Sequence, residues 1–368
     1  MGTANLALLQ CFAGLPDMEI DVVTSAMGGN RQFEQFSQSI RIFKVPVWNR
    51  NIHHSTNREL ILYAVQAFFV AWHLSRQKRY DFCFAWSAVP AGAVALALRY
   101  VVRLSYMVWV SGPDIPGFEQ RYARLHRFLR PLLLRVWKGA QPLIAKCPEE
   151  VGLIHKVQPG QKVIIIPNGV DLENSPVGSP GTVVRPLQIV CVARLIERKG
   201  QHHLIQAVKQ LLDEGLEVEV KLLGTGDSLA AYQQLAAALG LQAHVRFLGY
   251  VSREDVRKYC ADADVFVLPS FYEGMSLAAL EAMGVGLPLV LTRTGGTEEL
   301  VAEGVNGLTF DWADVQQLAA HLSLLAKDRR LVQRMGQASR QRAARYAWPA
   351  IAKEYLALFE RTRENGKR

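Results

Sequence analysis

The chain has little of what would staple it, export it or carry it through a membrane. Its 368 residues hold five cysteines, Cys11, Cys83, Cys147, Cys191 and Cys260. They are odd in number, widely spread, and none stands in a CxxC pair. That argues against a disulfide framework and against zinc spacing. The thiols are expected to be buried and free, in a reducing compartment. The start of the chain does not read as a secretory signal. The longest apolar stretch, Phe82 to Leu98, is broken by Ser87, Pro90 and Gly92. It reads as strand, turn and buried helix rather than as a membrane span. Internal repeats, low-complexity tracts and an aromatic-basic RNA motif are also lacking, so nucleic acid is not an expected partner.

What is present is a large apolar fraction, 50% of the residues, in a chain longer than one ordinary domain. Two domains are expected. The net charge of +9 is unevenly placed: residues 1–170 hold 19 Lys+Arg against 10 Asp+Glu, and residues 171–368 hold 23 of each. The front half is therefore basic and the back half neutral. Short apolar runs alternate with helical patterns from end to end. In the front half they start at Ile20, Ile40, Phe82, Tyr106, Leu143 and Val163; in the back half at Leu187, Val218, Val245, Val265 and Leu287. Such alternation predicts βα units and parallel sheets covered by helices. Residues 174–186, rich in Pro, Gly and Ser, read as the linker. The last segment, from about Trp348 to Glu364, reads as an amphipathic helix. A Rossmann-like domain usually opens on a buried strand and a glycine loop. This chain opens on Met1-Gly2-Thr3-Ala4-Asn5-Leu6, already loop and helix, so a first strand is expected to be missing.

The most informative residues are Glu273 and Glu281. The strand pattern of Asp264–Pro269 precedes them, and good helix formers follow Gly274. The expected order is strand, loop with Glu273, then a helix starting near Gly274–Ser276 with Glu281 about two turns in. The free N–H groups at such a helix start bind anions. Two carboxylates beside them suit a phosphorylated polyol such as a nucleotide sugar. Arg194 and Lys199 follow the strand at Leu187, at the strand end where open α/β sheets bind ligands. Two cations there would neutralise a diphosphate. Gly224 and Gly226, and Gly295 and Gly296 with Glu298 and Glu299, also follow strands and could bring backbone close to a ligand, or simply turn the chain. Gly28-Gly29 reads as an ordinary loop. Asp262-Ala263-Asp264 has the look of a metal-holding DxD but is read as a helix-to-strand turn, so no metal site is expected. Arg121, Arg124, Arg127, Arg130, Arg135 and Lys138 form a basic amphipathic helix interrupted by Pro131. It is either a solvated face or a docking face for an anionic membrane.

Taken together these motifs resemble the family-4 retaining glycosyltransferases of the GT-B fold, often described as group 1. The pieces are Ile166-Pro167-Asn168-Gly169-Val170-Asp171, Ala193-Arg194-Leu195 through Lys199-Gly200, the E-x7-E spacing of Glu273 and Glu281, Gly295-Gly296-Thr297-Glu298-Glu299, and Val110 through Phe118. The resemblance implies two Rossmann-like domains facing across a cleft. Residues 1–173 would be the basic acceptor domain and 187–347 the donor domain, with 348–368 returning to the first. Arg194 and Lys199 would hold the donor diphosphate in place of a metal. Glu281 would take the ribose hydroxyls and Glu273 the transferred sugar. Gly274, Met275, Ser276 and Leu277 would lie on the phosphates. Ser111, Gly112 and Asp114 would face the acceptor, although many relatives carry His or Arg where Ser111 stands. No cofactor is implied. The partners would be a nucleotide-sugar donor and a glycan or lipid-linked acceptor; an anionic membrane surface is added by the basic stripe and the front-half charge. The setting would be cytoplasmic, peripheral on the inner membrane face, in cell-surface polysaccharide synthesis. Two other readings stand beside it: a truncated, inactive nucleotide-sugar binder, suggested by the missing strand, and another GT-B activity such as sugar-nucleotide epimerisation.

Overall fold

The alternating apolar and helical runs become two α/β units in a computed structural model, which describes residues 3–15, 17–27, 30–49, 56–119, 122–182 and 185–366. One unit is Met1–Pro167 with Trp348–Arg368, and the other is Asn168–Ala347. Gly2, Gly28, Gly29 and Arg121, all singled out in the sequence, lie outside the described residues.

The first unit holds strands β1 (Ile20–Met27), β2 (Gln32–Gln35), β3 (Ile40–Asn49), β4 (Cys83–Ala85), β5 (Tyr106–Trp109), β6 (Leu143–Ala145) and β7 (Val163–Ile165). Its helices are α1 (Thr3–Phe12), α2 (Asn57–Gln77), α3 (Ala93–Val102), α4 (Ala123–Gly139) and α5 (Pro148–Val157), with the chain's final helix described below. The strands form two sheets, β1-β3-β2 and β4-β5-β6-β7. All pairings are parallel except β2 with β3, a short antiparallel strand that the alternation did not predict. The described residues open on α1. Both sheets share one apolar core, in which Leu9 and Phe12 of α1 meet Ile40, Met107 and Ile144 from the strands. α2 starts on a capping box: Thr56 Oγ1 accepts from the Glu59 N–H, and the Glu59 carboxylate accepts from the Thr56 N–H at 2.6 Å. α4 differs from expectation, for it runs through Pro131 unbroken. Burial of Leu133, Val136 and Trp137 on one face outweighs the hydrogen bond that the proline removes.

The second unit holds β8 (Leu187–Val192), β9 (Val218–Leu223), β10 (Val245–Gly249), β11 (Val265–Leu268), β12 (Leu289–Thr292) and β13 (Gly307–Phe310). Its helices are α6 (Gln201–Asp213), α7 (Leu229–Ala238), α8 (Arg253–Ala261), α9 (Leu277–Val285), α10 (Thr297–Leu300), α11 (Val315–Lys327) and α12 (Arg329–Ala343). α13 (Trp348–Gly366) then belongs to the first unit, where Ile351, Tyr355 and Phe359 enter its core. The sheet order is β10-β9-β8-β11-β12-β13, all parallel. From β8 the chain winds outward through β9 and β10, then returns to β11 on the other side. The winding reverses between β8 and β11, the position at whose strand ends open α/β sheets bind ligands.

Two boundaries differ from the sequence reading. The units divide at Pro167/Asn168 rather than after residue 173. The Pro/Gly/Ser stretch is packed along the second unit: the Gly178 N–H donates to the Val285 carbonyl at 2.9 Å and the Gly181 N–H to Asp264 Oδ1 at 2.8 Å. Its composition describes a chain without regular structure, which need not be a free one. Cys147, Cys191 and Cys260 are buried, whereas Cys11 and Cys83 are only half-buried; none is bridged. Burial pushes the Cys147 thiol up to about 11 and the Cys191 and Cys260 thiols up to about 12, which makes them poor nucleophiles.

Candidate functional site

The loops at the reversal point are brought together by backbone. Gly200 ends the short turn Glu197–Lys199 at φ +67°, and a Cβ there would lie 2.0 Å from the Pro269 carbonyl oxygen. Only glycine allows the loop after β8 to lie so close to the loop after β11. The Phe271 N–H donates to the Arg198 carbonyl at 2.7 Å and ties the same two loops. The result is that the Lys199 ammonium meets the Glu273 carboxylate, which also accepts from Ser270 Oγ at 2.7 Å. Both charged side chains are mostly withdrawn from water, at 14% and 18% exposure. Arg194, in the same loop as Lys199, accepts from Gln201 Nε2 through its carbonyl at 2.9 Å. Among the described residues its guanidinium makes no hydrogen bond and no ion pair, so this cation is unspent.

Beyond Glu273 the chain enters α9. Ser276 is its N-cap, with Oγ accepting from the Ala279 N–H at 3.3 Å, and the first helical residue is Leu277. The amides of the first turn have no partners within the helix. Glu281 is the fifth residue of α9, so it stands about one turn in rather than two. Met275 is anchored from below: its carbonyl accepts from Asn168 Nδ2 at 3.0 Å, and its sulfur from the Asn168 N–H at 3.3 Å. A pocket opens beside the loop, lined by Glu273, Gly274, Ser276, Thr292, Thr294 and Gly296 among others.

Two contributors were not singled out as site residues by sequence reasoning. One is Asn168, whose only signal is its place after a strand in Pro167-Asn168-Gly169. The other is Arg253, the first residue of α8, whose Nε donates to Glu281 Oε1 at 2.6 Å. Nothing in the spacing links an arginine to a glutamate 28 positions on. Each of the two site carboxylates thus carries a cation from another segment of the chain.

The glycines make close approaches within the protein itself. Gly224, at φ +135°, would put a Cβ 2.0 Å from the Ala193 carbonyl, and Gly226 one 2.2 Å from the Leu195 carbonyl. Their close approach is to the Arg194 loop. Gly296 would place a Cβ 1.5 Å from the Gly274 carbonyl, so it seats the loop after β12 against the loop of Glu273. Gly295 beside it is half-buried. Asp264 is buried and accepts from the Gln188 N–H at 2.9 Å and from Arg329 at 3.0 Å, in addition to Gly181. Its carboxylate holds the fold.

In the other unit, Ser111, Gly112 and Asp114 form a single turn. Asp114 Oδ2 accepts from the Ser111 N–H at 3.0 Å and the Ser111 hydroxyl at 3.1 Å. Burial drives the Asp114 carboxyl above its usual range despite these donors. A Cβ on Gly112 would lie 2.1 Å from the Phe118 ring.

Residues 4–174 match the model of "Glycosyltransferase Family 4", and residues 179–342 that of "Glycosyl transferases group 1". The two matches follow one another over nearly the whole chain. This chain belongs to the family-4, group 1 glycosyltransferases. Among curated members, it is 34% identical to a putative colanic acid biosynthesis glycosyltransferase of Escherichia coli, over 65% of this chain and 60% of that one. It is 33% identical to an amylovoran biosynthesis glycosyltransferase of Erwinia amylovora, over 46% of this chain and 43% of that one. The chain therefore spans about two fifths to three fifths of the length of these relatives. Among solved structures, sucrose-phosphate synthase from Thermosynechococcus elongatus superposes with a TM-score of 0.84 at 21% identity, covering 98% of this chain and 93% of that one. The Anabaena HepE protein in complex with UDP and glucose superposes with a TM-score of 0.75 at 21% identity, covering 98% and 96%. The fold is GT-B.

Proposed function

We propose that this protein transfers a hexose from a nucleotide sugar to a glycan or lipid-linked acceptor, with retention of configuration and without a metal. The observation that carries the reading is the meeting of Lys199 with Glu273 at the reversal point of the sheet, beside the start of α9 and the unspent guanidinium of Arg194. Breaking the bond between the sugar and the phosphate leaves a diphosphate anion. Arg194, Lys199 and the first amides of α9 stabilise that charge as it develops. Glu273 accepts from hydroxyls of the transferred sugar, and Glu281 from those of the ribose. The acceptor oxygen bonds to the anomeric carbon on the face the phosphate leaves, and its proton passes to the departing phosphate oxygen. In the other unit, the Ser111–Asp114 turn is the proposed acceptor contact.

The relatives named for colanic acid and amylovoran biosynthesis support a role in cell-surface polysaccharide synthesis. The UDP and glucose named in the HepE structure support a nucleotide-sugar donor. The unbridged thiols support a cytoplasmic setting. A thermal-shift titration with UDP, GDP, ADP and their sugar conjugates tests the donor site, because a ligand of the folded state raises the melting temperature. One nucleotide is expected to shift the parent and to lose its effect in Arg194→Ala and Glu281→Ala. No shift with any nucleotide, from a cooperatively folded parent, would refute the reading.

A further inference from the structure

Beside the two loops of the donor site stands a side chain that neither the motifs nor the proposed chemistry uses. Trp312 follows β13 in the turn Asp311-Trp312-Ala313-Asp314, which leads into α11. The turn is held at both ends. The Asp311 carboxylate takes the Arg293 guanidinium at 2.6 Å, and the Asp311 N–H donates to Gln317 Oε1 at 2.9 Å. Asp314 caps α11, its carboxylate accepting from the Gln317 N–H at 2.8 Å. Between them Ala313 sits at φ +64°, a left-handed conformation that residues other than glycine seldom adopt and that persists only where its surroundings fix it. The half-buried ring of Trp312 is set between the first turn of α6 and the loop after β11. Its centroid lies 4.8 Å from that of His203 at 86°, and 5.1 Å from that of Phe271 at 65°, both edge to face. A Cβ on Gly200 would lie 2.8 Å from Trp312 Cζ3. Burial lowers the pKa of His203, so at neutral pH its ring packs uncharged.

We infer that Trp312 is a positioning residue of the donor site, holding the turn of Lys199 so that its ammonium can take a diphosphate, a role that rests on the donor-site reading above. Trp312 acts through its neighbours. Gly200 directly follows Lys199, and Phe271 stands two residues before Glu273, so one ring touches both loops that carry the pair. Those loops are otherwise tied to each other by the Phe271 N–H on the Arg198 carbonyl and by the ion pair itself. An arriving diphosphate competes with Glu273 for the ammonium. That competition costs least when the turn bearing Lys199 does not have to be ordered at the same moment. With the Pro269 carbonyl on one side and Trp312 on the other, Gly200 has no room to retreat. The ring supplies this order from β13, a strand whose own packing does not involve the ligand. A displacement of about 1 Å at such a charge costs about 10²-fold in rate, so a buttress of this kind affects function before it affects folding. A ring that only filled space would lower the melting temperature and leave nucleotide binding alone, or weaken binding equally with and without Lys199.

The test is calorimetric titration of the full chain with UDP, GDP and ADP, followed by a double-mutant cycle of Trp312→Ala and Lys199→Ala with the diphosphate that binds the parent most tightly. Deleting a charge-assisted contact weakens binding roughly 10- to 150-fold and a misplaced ammonium forfeits part of that, so Trp312→Ala is expected to weaken binding about tenfold. In the Lys199→Ala background the same substitution is expected to change affinity by less than about twofold. Trp312→Phe, which returns a ring to His203 and Phe271, recovers most of the loss. Phe271 is 52% exposed, so Phe271→Ala leaves the core intact and shows the same dependence on Lys199 more weakly. It decides the matter if Trp312→Ala does not fold, and melting curves follow every variant. Trp312→Ala that folds and binds like its parent would overturn the inference. So would an equal loss in both backgrounds, the mark of a general packing effect. Lys199→Ala that binds as tightly as the parent, or a parent that binds none of the three, would overturn the donor-site reading and this inference with it.

Discussion

Replacing Lys199 by alanine strips Glu273 of its cation in a site largely closed to water. Truncating one member of a fully buried pair costs about 3–5 kcal/mol, whereas an exposed pair contributes about 0–1. Here the side chains are 14% and 18% exposed, and Ser270 still donates to the carboxylate at 2.7 Å. The expected loss is therefore about 1–2 kcal/mol. In a unit of this size that lowers the melting temperature by about 3–6 °C. On the proposed reading function falls further, because there the same ammonium serves the diphosphate. One charge-assisted contact is worth about 1.5–3 kcal/mol, or roughly 10- to 150-fold in nucleotide affinity. Loss of one preorganised group facing a developing anion removes about 10²–10³ from kcat. The discriminating experiment adds Lys199→Ala with Glu273→Gln. Removing both charges leaves no uncompensated carboxylate, so the double variant recovers part of the melting temperature lost by Lys199→Ala and none of its activity. If Lys199→Ala melts with its parent and binds nucleotide equally well, the pair is ornamental and the reasoning fails.

Two further outcomes are expected. Arg253 holds Glu281 by a 2.6 Å bond, so, with Glu281 on the ribose as proposed, Arg253→Ala should blunt discrimination between a nucleoside diphosphate and its 2′-deoxy analogue, as Glu281→Ala should, with Arg253→Lys recovering part of it; calorimetric titration of both ligands decides, and discrimination intact in Arg253→Ala would show the contact to be structural only. In the first unit burial opposes ionisation of Asp21, but hydrogen bonds from Arg41 at 2.7 Å, with Tyr80 and Lys78, prevail and hold its carboxyl below the usual range. Its contribution is present above the unfolded pKa of about 4 and is lost as pH falls through the folded value, so melting curves of Asp21→Asn should flatten on the acid side below about pH 4; an acid limb unchanged by the substitution would show that other carboxylates set it.

The local pattern carried the βα alternation well. Leu187–Val192 and Val218–Leu223 form strands with the bounds their apolar runs announce. It failed where packing decided against propensity. β2, Gln32–Gln35, is exposed at every residue and has no apolar run to signal it. Pro131 reads as a break but lies inside a continuous helix held by its buried face. Residues 174–186 read as a tether but are bonded along the second unit.

The candidate site divides in the same way. Sequence alone determined the chemical types present and their order: cations after one strand, carboxylates after another, a helix start between them. Such features are local, set by strand period, turn residues and helix formers within about ten positions. Which of these groups meet was decided only by the tertiary structure. Lys199 and Glu273 are 74 positions apart, and Arg253 and Glu281 are 28 apart. Parallel strand order brings each pair to one sheet edge, and glycines at 200 and 296 let the loops close to backbone contact. The stripe of Ile61, Val65 and Phe69 makes the same point from the surface. Its spacing of four along α2 is that of a core-facing helix, and only the fold leaves it exposed.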